Sequence, residues 1–365
     1  MRIAQLTLNG YFNYGNVLQK YALNRVLRRY ADAVEVIWHT SDGFLPESWE
    51  WNWRPQLTKM LNSRDERRRF TFELIRQAKF KEFNDRHVKT RFDVRALEDI
   101  ADEYDFFVVG SDQVWHPQSY FFGRFLTFAP KEKRIAYAAS IAIPQLPEQY
   151  KSTWREGILG MNHVSVREQG AVDIIRELTG VEPLMVVDPV FLLTAEEWAE
   201  VSTRPSWLDE KFDGGFILTY FLRASAPPVV KRLSTELKLP LINLLDPEFF
   251  NQYVVGPEEF LYLIAHATLL YTNSFHGTAF AILNRVPFVV MDVNEDRLAA
   301  KISARLPSLL RDFGLSERKA TAENNYGIDR PLEIDYSMRD EVLSRERSKA
   351  FNFLDEALKG AAHED

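Results

Sequence analysis

The chain has 365 residues, enough for two domains of ordinary size, and its 46% hydrophobic and 27% charged residues are those of a folded globular protein. A net charge of −7 argues against nucleic acid as a partner. The absence of Cys excludes disulfides, a cysteine nucleophile and metal sites built on thiolates.

No apolar run reaches the ~18 to 20 residues that span a bilayer. The opening MRIAQLTLNGYFNYGN lacks the apolar stretch of a signal peptide, so a cytoplasmic location is expected. Charge is uneven along the chain. Arg54 to Arg95 holds 13 Lys/Arg against 6 Asp/Glu, which leaves the remainder at −14. This block reads either as a solvated helical face or as a surface for an anionic glycan, a lipid phosphate or the inner face of a membrane.

Taken in order, RIAQLTL predicts a strand, NVLQKYALNRVLRRY a helix and AVEVIW a second strand. Residues 55–86 predict one or two long polar helices, part of an insertion over about 41–95. YDFFVVG, RIAYAAS, HVSVR and LMVVD then read as buried strands. After RPSWLDEKFDGG a second series follows, with strands GFILTYF, PLINLL, ATLLYT and PFVVMD. Helices are predicted from near Pro227, Pro257 and Gly277. A long amphipathic helix closes the chain. The pattern is α/β: two Rossmann-like domains, 1–205 and 206–335, with 336–365 packing back on the first. Ligands are expected in a central cleft at the carboxyl ends of the strands.

Four connections carry candidate chemistry. ATLLYTNSFHGTAF reads as strand, turn and helix, with Ser274, Phe275, His276 and Gly277 in the turn. A helix start suits an anion, and a His there can donate a hydrogen bond or serve as acid or base. In HVSVREQG, Arg167 ends a strand, either as a fork for carboxylate or phosphate or as the partner of Glu168 or Asp188. The loop GYFNYGNVLQ places Asn13, Asn16 and Gln19 where amides suit sugar hydroxyls or helix capping. GSDQVW offers Ser111, Asp112, Gln113 and Trp115, a set suited to a sugar, with Asp112 as helix cap the competing reading. No GxGxxG, Walker motif, HExxH or GxSxG occurs, and no metal site is expected.

Together NYGNVLQKYAL, VVGSDQVW, IAYAASI, VSVREQGAVDIIRELTG, VVDPVFLL, GPEEFLYLIAHA, TNSFHGTAFAILNRVPFVV and RLPSLLRDFGLSER resemble the polysaccharide pyruvyl transferase family. The resemblance runs from residue 13 to about 318. It implies a fold similar to GT-B glycosyltransferases and transfer of pyruvyl from phosphoenolpyruvate to a sugar as a cyclic ketal. It also implies that no cofactor is needed beyond that donor. By the same resemblance Arg167 and the turn Ser274–Gly277 bind the donor. The chemistry needs an acid or base, for which His276 is best poised, and Asp112 or Asp188 is the candidate to deprotonate the acceptor, with Asp188 before Pro189 also suited to fixing a turn. Asn13, Asn16, Gln19, Ser111, Gln113 and Trp115 would meet a sugar or lipid-linked acceptor. Some family members carry Arg where this chain has Ser274, so Arg223, Lys301 and Arg305 become candidate substitutes. A nucleotide-sugar glycosyltransferase and a non-catalytic glycan-binding protein stay open as alternatives.

Overall fold

A computed structural model describes residues 1–10, 13–39, 63–117, 119, 121, 123–222, 226–291, 306–320 and 330–359. The chain divides into two compact units. The first contains the described residues of Met1–Arg54, Asn84–Leu192 and Leu343–Asp365; the second contains those of Pro55–Phe83 and Leu193–Val342. The chain therefore changes unit at Leu192, earlier than the expected boundary after 205. Residues 64–83 of the basic segment belong to the second unit, where the sequence reading had assigned them to the first.

The first unit is built on β1 (Arg2–Leu6), β2 (Ala33–His39), β3 (Thr90–Val94), β4 (Phe106–Asp112), β5 (Arg134–Ala139), β6 (His163–Val166) and β7 (Leu184–Met185). They form one parallel sheet in the order β3-β2-β1-β4-β5-β6-β7. Ile3 pairs with both Val34 and Phe106. Strands covered on both faces need apolar residues at every position, which is why FFVV in β4 is buried throughout. Helix α1 (Tyr14–Leu27) starts at Asn13, whose side chain accepts from the Asn16 N–H at 3.4 Å. Its residues are almost all buried, the polar ones included. The next helix, α2 (Arg64–His87), is a single long element. Helices α3 (Glu148–Leu159) and α4 (Gln169–Thr179) cover the other end, where Trp115, Phe125 and Trp154 fill the core.

The second unit has a parallel sheet of β8 (Ile217–Tyr220), β9 (Leu241–Leu244), β10 (Leu269–Thr272) and β11 (Phe288–Val290), in the order β11-β10-β8-β9. Around it lie α5 (Ala195–Ala199), α6 (Pro228–Leu237), α7 (Phe250–Tyr253), α8 (Pro257–His266), α9 (Phe275–Asn284) and α10 (Leu306–Asp312). Part of α2 is fixed to this unit. Arg68 Nη2 donates to the carbonyls of Pro247 and Glu248, each at 2.8 Å, and Lys79 pairs with Glu259 at 2.8 Å.

The closing helix, α11 (Arg339–Lys359), contributes residues from Leu343 onward to the first unit. There Arg347 donates to the Phe191 carbonyl at 2.6 Å and Phe353 meets Tyr137.

Both sheets reverse their winding once. In the first, the chain proceeds outward through β1, β2 and β3, then returns to set β4 on the other side of β1. In the second, β8 leads to β9 on one side and β10 is then laid on the other. The connections after the two strands at such a reversal diverge, leaving a crevice at their carboxyl ends where ligands of open α/β sheets bind. The crevice positions are therefore the connections after β1 and β4, and after β8 and β10.

Candidate active site

In the second unit the crevice position carries the His276 turn. Ser274 is the N-cap of α9, its hydroxyl accepting from the Gly277 N–H at 3.3 Å. The Ser274 N–H donates to Thr272 Oγ1 at 2.9 Å, and that hydroxyl donates to the Tyr220 carbonyl at 2.6 Å. Asn273 fixes the neighbouring connection, accepting from the Leu222 N–H at 2.7 Å and donating to the Leu222 carbonyl at 3.1 Å. The ends of β8 and β10 are thus tied together beneath the start of α9. A Cβ on Gly277 would lie 3.0 Å from Thr272 Oγ1 and 3.3 Å from Tyr220, so the tight turn favours glycine. His276 is buried and Phe275 half-buried, their rings edge to face at 5.2 Å. At the head of a ten-residue helix the first N–H groups lie outside the helix's own ladder, next to the positive end of the dipole. A helix start of this kind suits an anion, and His276 is its second residue.

In the first unit, Asp112 ends β4 with φ 67°, a left-handed conformation. Gly110, two residues before, has φ 127°, and a Cβ there would stand 2.1 Å from the Tyr137 carbonyl oxygen. Only glycine lets β4 run this close to β5 before it turns. Arg167, at the end of β6, reaches Asp112: its Nη2 donates to Asp112 Oδ1 at 3.3 Å, while Nη1 donates to Asp188. Glu168 lies 3.8 Å from the guanidinium and accepts from Ser140 Oγ, Ile141 N and Ala142 N. Asp188 is closed to solvent and the Arg167 side chain nearly so, whereas Asp112 keeps 14% of its side chain exposed. Burial alone would lower the Arg167 pKa. Asp188, Asp112 and Glu168 outweigh it and hold the guanidinium above its ordinary value, permanently charged.

The expectation of Arg167 as an open fork for the donor is corrected here, because its terminal nitrogens face Asp188 and Asp112. Three expected acceptor contacts are also corrected. Trp115 is buried in the core, its indole N–H on the Arg124 carbonyl at 2.6 Å, and presents no stacking face. Ser111 is buried with its hydroxyl on the Ala138 carbonyl. Gln19 is buried, donating to Thr7 and Asn16 and accepting from the Ser111 N–H. These groups brace the β1 and β4 connections from inside. Asp112 caps no helix; its carbonyl instead accepts from Val114 and Ser140.

Asn13 and Gln113 remain half-exposed. Asn9, in the connection after β1, and Asn16, in the first turn of α1, are buried, and the Oδ1 of each meets no hydrogen-bond donor among the described residues. The sequence reading passed over Asn9, whose only signal was an amide just beyond a strand. Arg223, Lys301 and Arg305 lie outside the described residues. No group of three or more His, Asp or Glu suited to a metal ion occurs among the described residues.

The profile of the polysaccharide pyruvyl transferase family matches residues 13–295. The chain belongs to that family. It thereby falls among transferases that work on polysaccharide, and the connections after β4, β8 and β10 lie inside the matched span. No curated protein matches the chain. Among solved structures, a Listeria monocytogenes protein assigned as a UDP-N-acetylglucosamine 2-epimerase is similar over 100% of this chain and 97% of its own, with TM-score 0.51 and 10% identity. The UDP-GlcNAc 2-epimerase of Methanocaldococcus jannaschii is similar over 98% and 93%, with TM-score 0.46 and 13% identity. A spinosyn forosaminyltransferase covers 96% and 95%, with TM-score 0.44 and 12% identity. At such identities the likeness concerns the fold, and the expected α/β class similar to GT-B enzymes is borne out. No helix among the described residues is long and apolar enough to cross a membrane.

Proposed function

We propose that this member of the family transfers the pyruvyl group of phosphoenolpyruvate to a sugar of a polysaccharide or its lipid-linked precursor, releasing phosphate and leaving a cyclic ketal. The observation that carries the reading is the His276 turn: an imidazole at a helix start, in a crevice position, within the matched family span. The donor is small and highly anionic, so it needs N–H groups and a proton source together. His276 delivers a proton to C3 of the enol as a sugar hydroxyl attacks C2. Asp112, the exposed carboxylate of the Arg167 group, takes the hydroxyl proton. The C–O bond to phosphate then breaks, a second hydroxyl attacks C2 to close the ring, and the proton of that hydroxyl leaves with solvent or the departing phosphate. Asn13, Asn16 and Gln113 serve the acceptor. Arg167 is a positioning residue that holds Asp112 in place.

Phosphate release on incubation with phosphoenolpyruvate and an oligosaccharide acceptor, beside parallel incubations with UDP- and GDP-sugars, tests the reading. Release that requires phosphoenolpyruvate supports it. Turnover of a nucleotide sugar instead would assign the chain to glycosyl transfer, and glycan binding without turnover would make it a binding protein.

A further inference from the structure

The second unit has a cavity of about 600 Å³ at the carboxyl end of the edge strand β9, lined by Ala226 after β8 and by no residue of the His276 turn. The size is that of a small-ligand pocket. Arg69 of α2 and Lys231 of α6 stand on its wall, with Asn243, Asp246, Glu248 and Tyr253. Neither Arg69 nor Lys231 has a carboxylate within ion-pair distance among the described residues. Asp246 forms no ion pair with either among the described residues. One of its oxygens accepts from the Glu248 N–H at 2.9 Å and the other from Asn243 Nδ2 at 2.7 Å, which closes the turn after β9. Glu248 is exposed on the rim.

An apolar edge adjoins this charged wall. Between the lining residues Glu248 and Tyr253 the chain exposes Phe249 (51%) and Phe250 (43%). Large aromatic side chains this exposed mark contact surfaces when they cluster. Phe250 belongs to such a group: its ring lies 4.9 Å from Phe72, and Phe72 lies 5.8 Å from Tyr253, while Phe249 stands next to Phe250 in the chain. The aromatic edge is held in position by Arg68, which stacks over Phe72 at 5.3 Å while binding the Pro247 and Glu248 carbonyls. A polar pocket with two cations, opening onto exposed aromatic rings, is complementary to a ligand with a phosphate at one end and hydrocarbon at the other.

We infer that this pocket binds a lipid phosphate, the phosphate against Arg69 and Lys231 and the chain over Phe249 and Phe250. It is a second site on the molecule, and its chemistry does not depend on pyruvyl transfer. The recognised group is a phosphate monoester or diester carrying an alkyl tail.

Titration calorimetry of the full chain with octyl phosphate below its micellar concentration, inorganic phosphate and octyl glucoside tests it. Octyl phosphate should bind at least tenfold more tightly than either control. Arg69→Glu and Lys231→Glu should each weaken it tenfold or more, with the loss smaller at high salt. Phe249→Ser should weaken octyl phosphate about fivefold and leave inorganic phosphate unchanged. Equal binding of a control, or unchanged affinity in the charge-reversed variants with their folds verified by circular dichroism, overturns the site. So does binding to anionic vesicles without binding to monomeric octyl phosphate, which would indicate a flat membrane surface. The binding measurements stand whether or not the chain turns over phosphoenolpyruvate. Loss of turnover with a short soluble acceptor in these variants would place the pocket in the reaction site and overturn its separateness.

Discussion

The guanidinium of Arg167 donates to Asp112 across 3.3 Å, joining the carboxyl end of β6 to that of β4 through β5 between them. One cation therefore serves a sealed carboxylate, Asp188, and a solvent-facing one, Asp112. The Asp188 pair is closed to solvent, and on the proposed reading Asp112 is the partner that meets substrate. Replacing Arg167 by Ala leaves Asp188 buried without its counter-charge, a change that typically costs about 3–5 kcal/mol. Urea unfolding should show a loss of that order. Arg167→Lys, which keeps the charge, should fold and should lower kcat while leaving the KM for phosphoenolpyruvate near its original value. A large rise in that KM with kcat preserved would mean that Arg167 touches the donor directly.

Asp112→Asn preserves shape and removes the base. The expected outcome is a fall in kcat of ~10²-fold or more with an unchanged unfolding midpoint, the size usual for a positioned general base. Full activity in this variant would remove Asp112 from the reaction.

His276→Gln should lower kcat/KM for phosphoenolpyruvate by ~10²-fold, about 3 kcal/mol of transition-state binding. Ser274→Ala tests the helix start apart from the imidazole. Loss of the cap should cost about 1 kcal/mol of stability and weaken donor binding, with the His276 proton still available. Steady-state kinetics at several donor concentrations separate the two effects. Normal turnover in His276→Gln would leave the turn an ordinary helix start.

The His276 turn was legible in the sequence because its determinants are local: a buried strand, a Ser/Gly turn and an apolar helix within about twenty residues. Helix α9 begins at Phe275, two residues before the predicted start, since Ser274 and not the glycine is the cap. The Asp188 partner of Arg167 was among the sequence alternatives, but Asp112, 55 residues away, was not. That pairing follows from the order β4-β5-β6 in the sheet, which no local pattern encodes. Trp115 misled for the opposite reason. An indole after a strand looks the same in sequence whether it faces a sugar or Arg124 and Trp154 in the core. Strand β3 went unread because TRFDV lies at the sheet edge and lacks a continuous apolar run. The basic segment gave its helix but not its unit, which is fixed by Arg68 and Lys79 reaching residues about 180 positions on.

The amide oxygens of Asn9 and Asn16 offer a test of the acceptor side. Both are buried beside the crevice after β1, and each accepts nothing from the described residues. Hydroxyls of a sugar are donors of the right kind. Asn16→Ala should raise the acceptor KM by about tenfold, as expected when a buried hydrogen bond to substrate is lost, and leave the KM for phosphoenolpyruvate unchanged. Asn13→Ala, which removes the α1 cap together with a half-exposed acceptor amide, should cost about 1 kcal/mol of stability and raise the acceptor KM as well. An Asn16 variant with an unaltered acceptor KM would return this residue to the interior scaffold.

Lys20 gives the fold a pH dependence of known sign. It lies wholly buried in α1, its Nζ without a hydrogen-bond partner among the described residues. Burial, opposed weakly by Asp85, brings its pKa down from 10.5 to about 7. Between those two values the unfolded chain carries a proton that the folded chain does not, so stability rises with pH across that window. The slope is about 1.4 kcal/mol per pH unit where the difference is a whole proton. Below pH 7 both states are protonated and the cost of the buried charge is borne in full. Lys20→Met should therefore stabilise the protein most at and below neutral pH. Its advantage should shrink as the pH rises from 7 towards 10, as the parent loses its buried charge. Urea midpoints of the two proteins at pH 6.5, 8 and 9.5 check this, and a gap that stays constant across the series would show that Lys20 keeps an ordinary pKa in the folded chain.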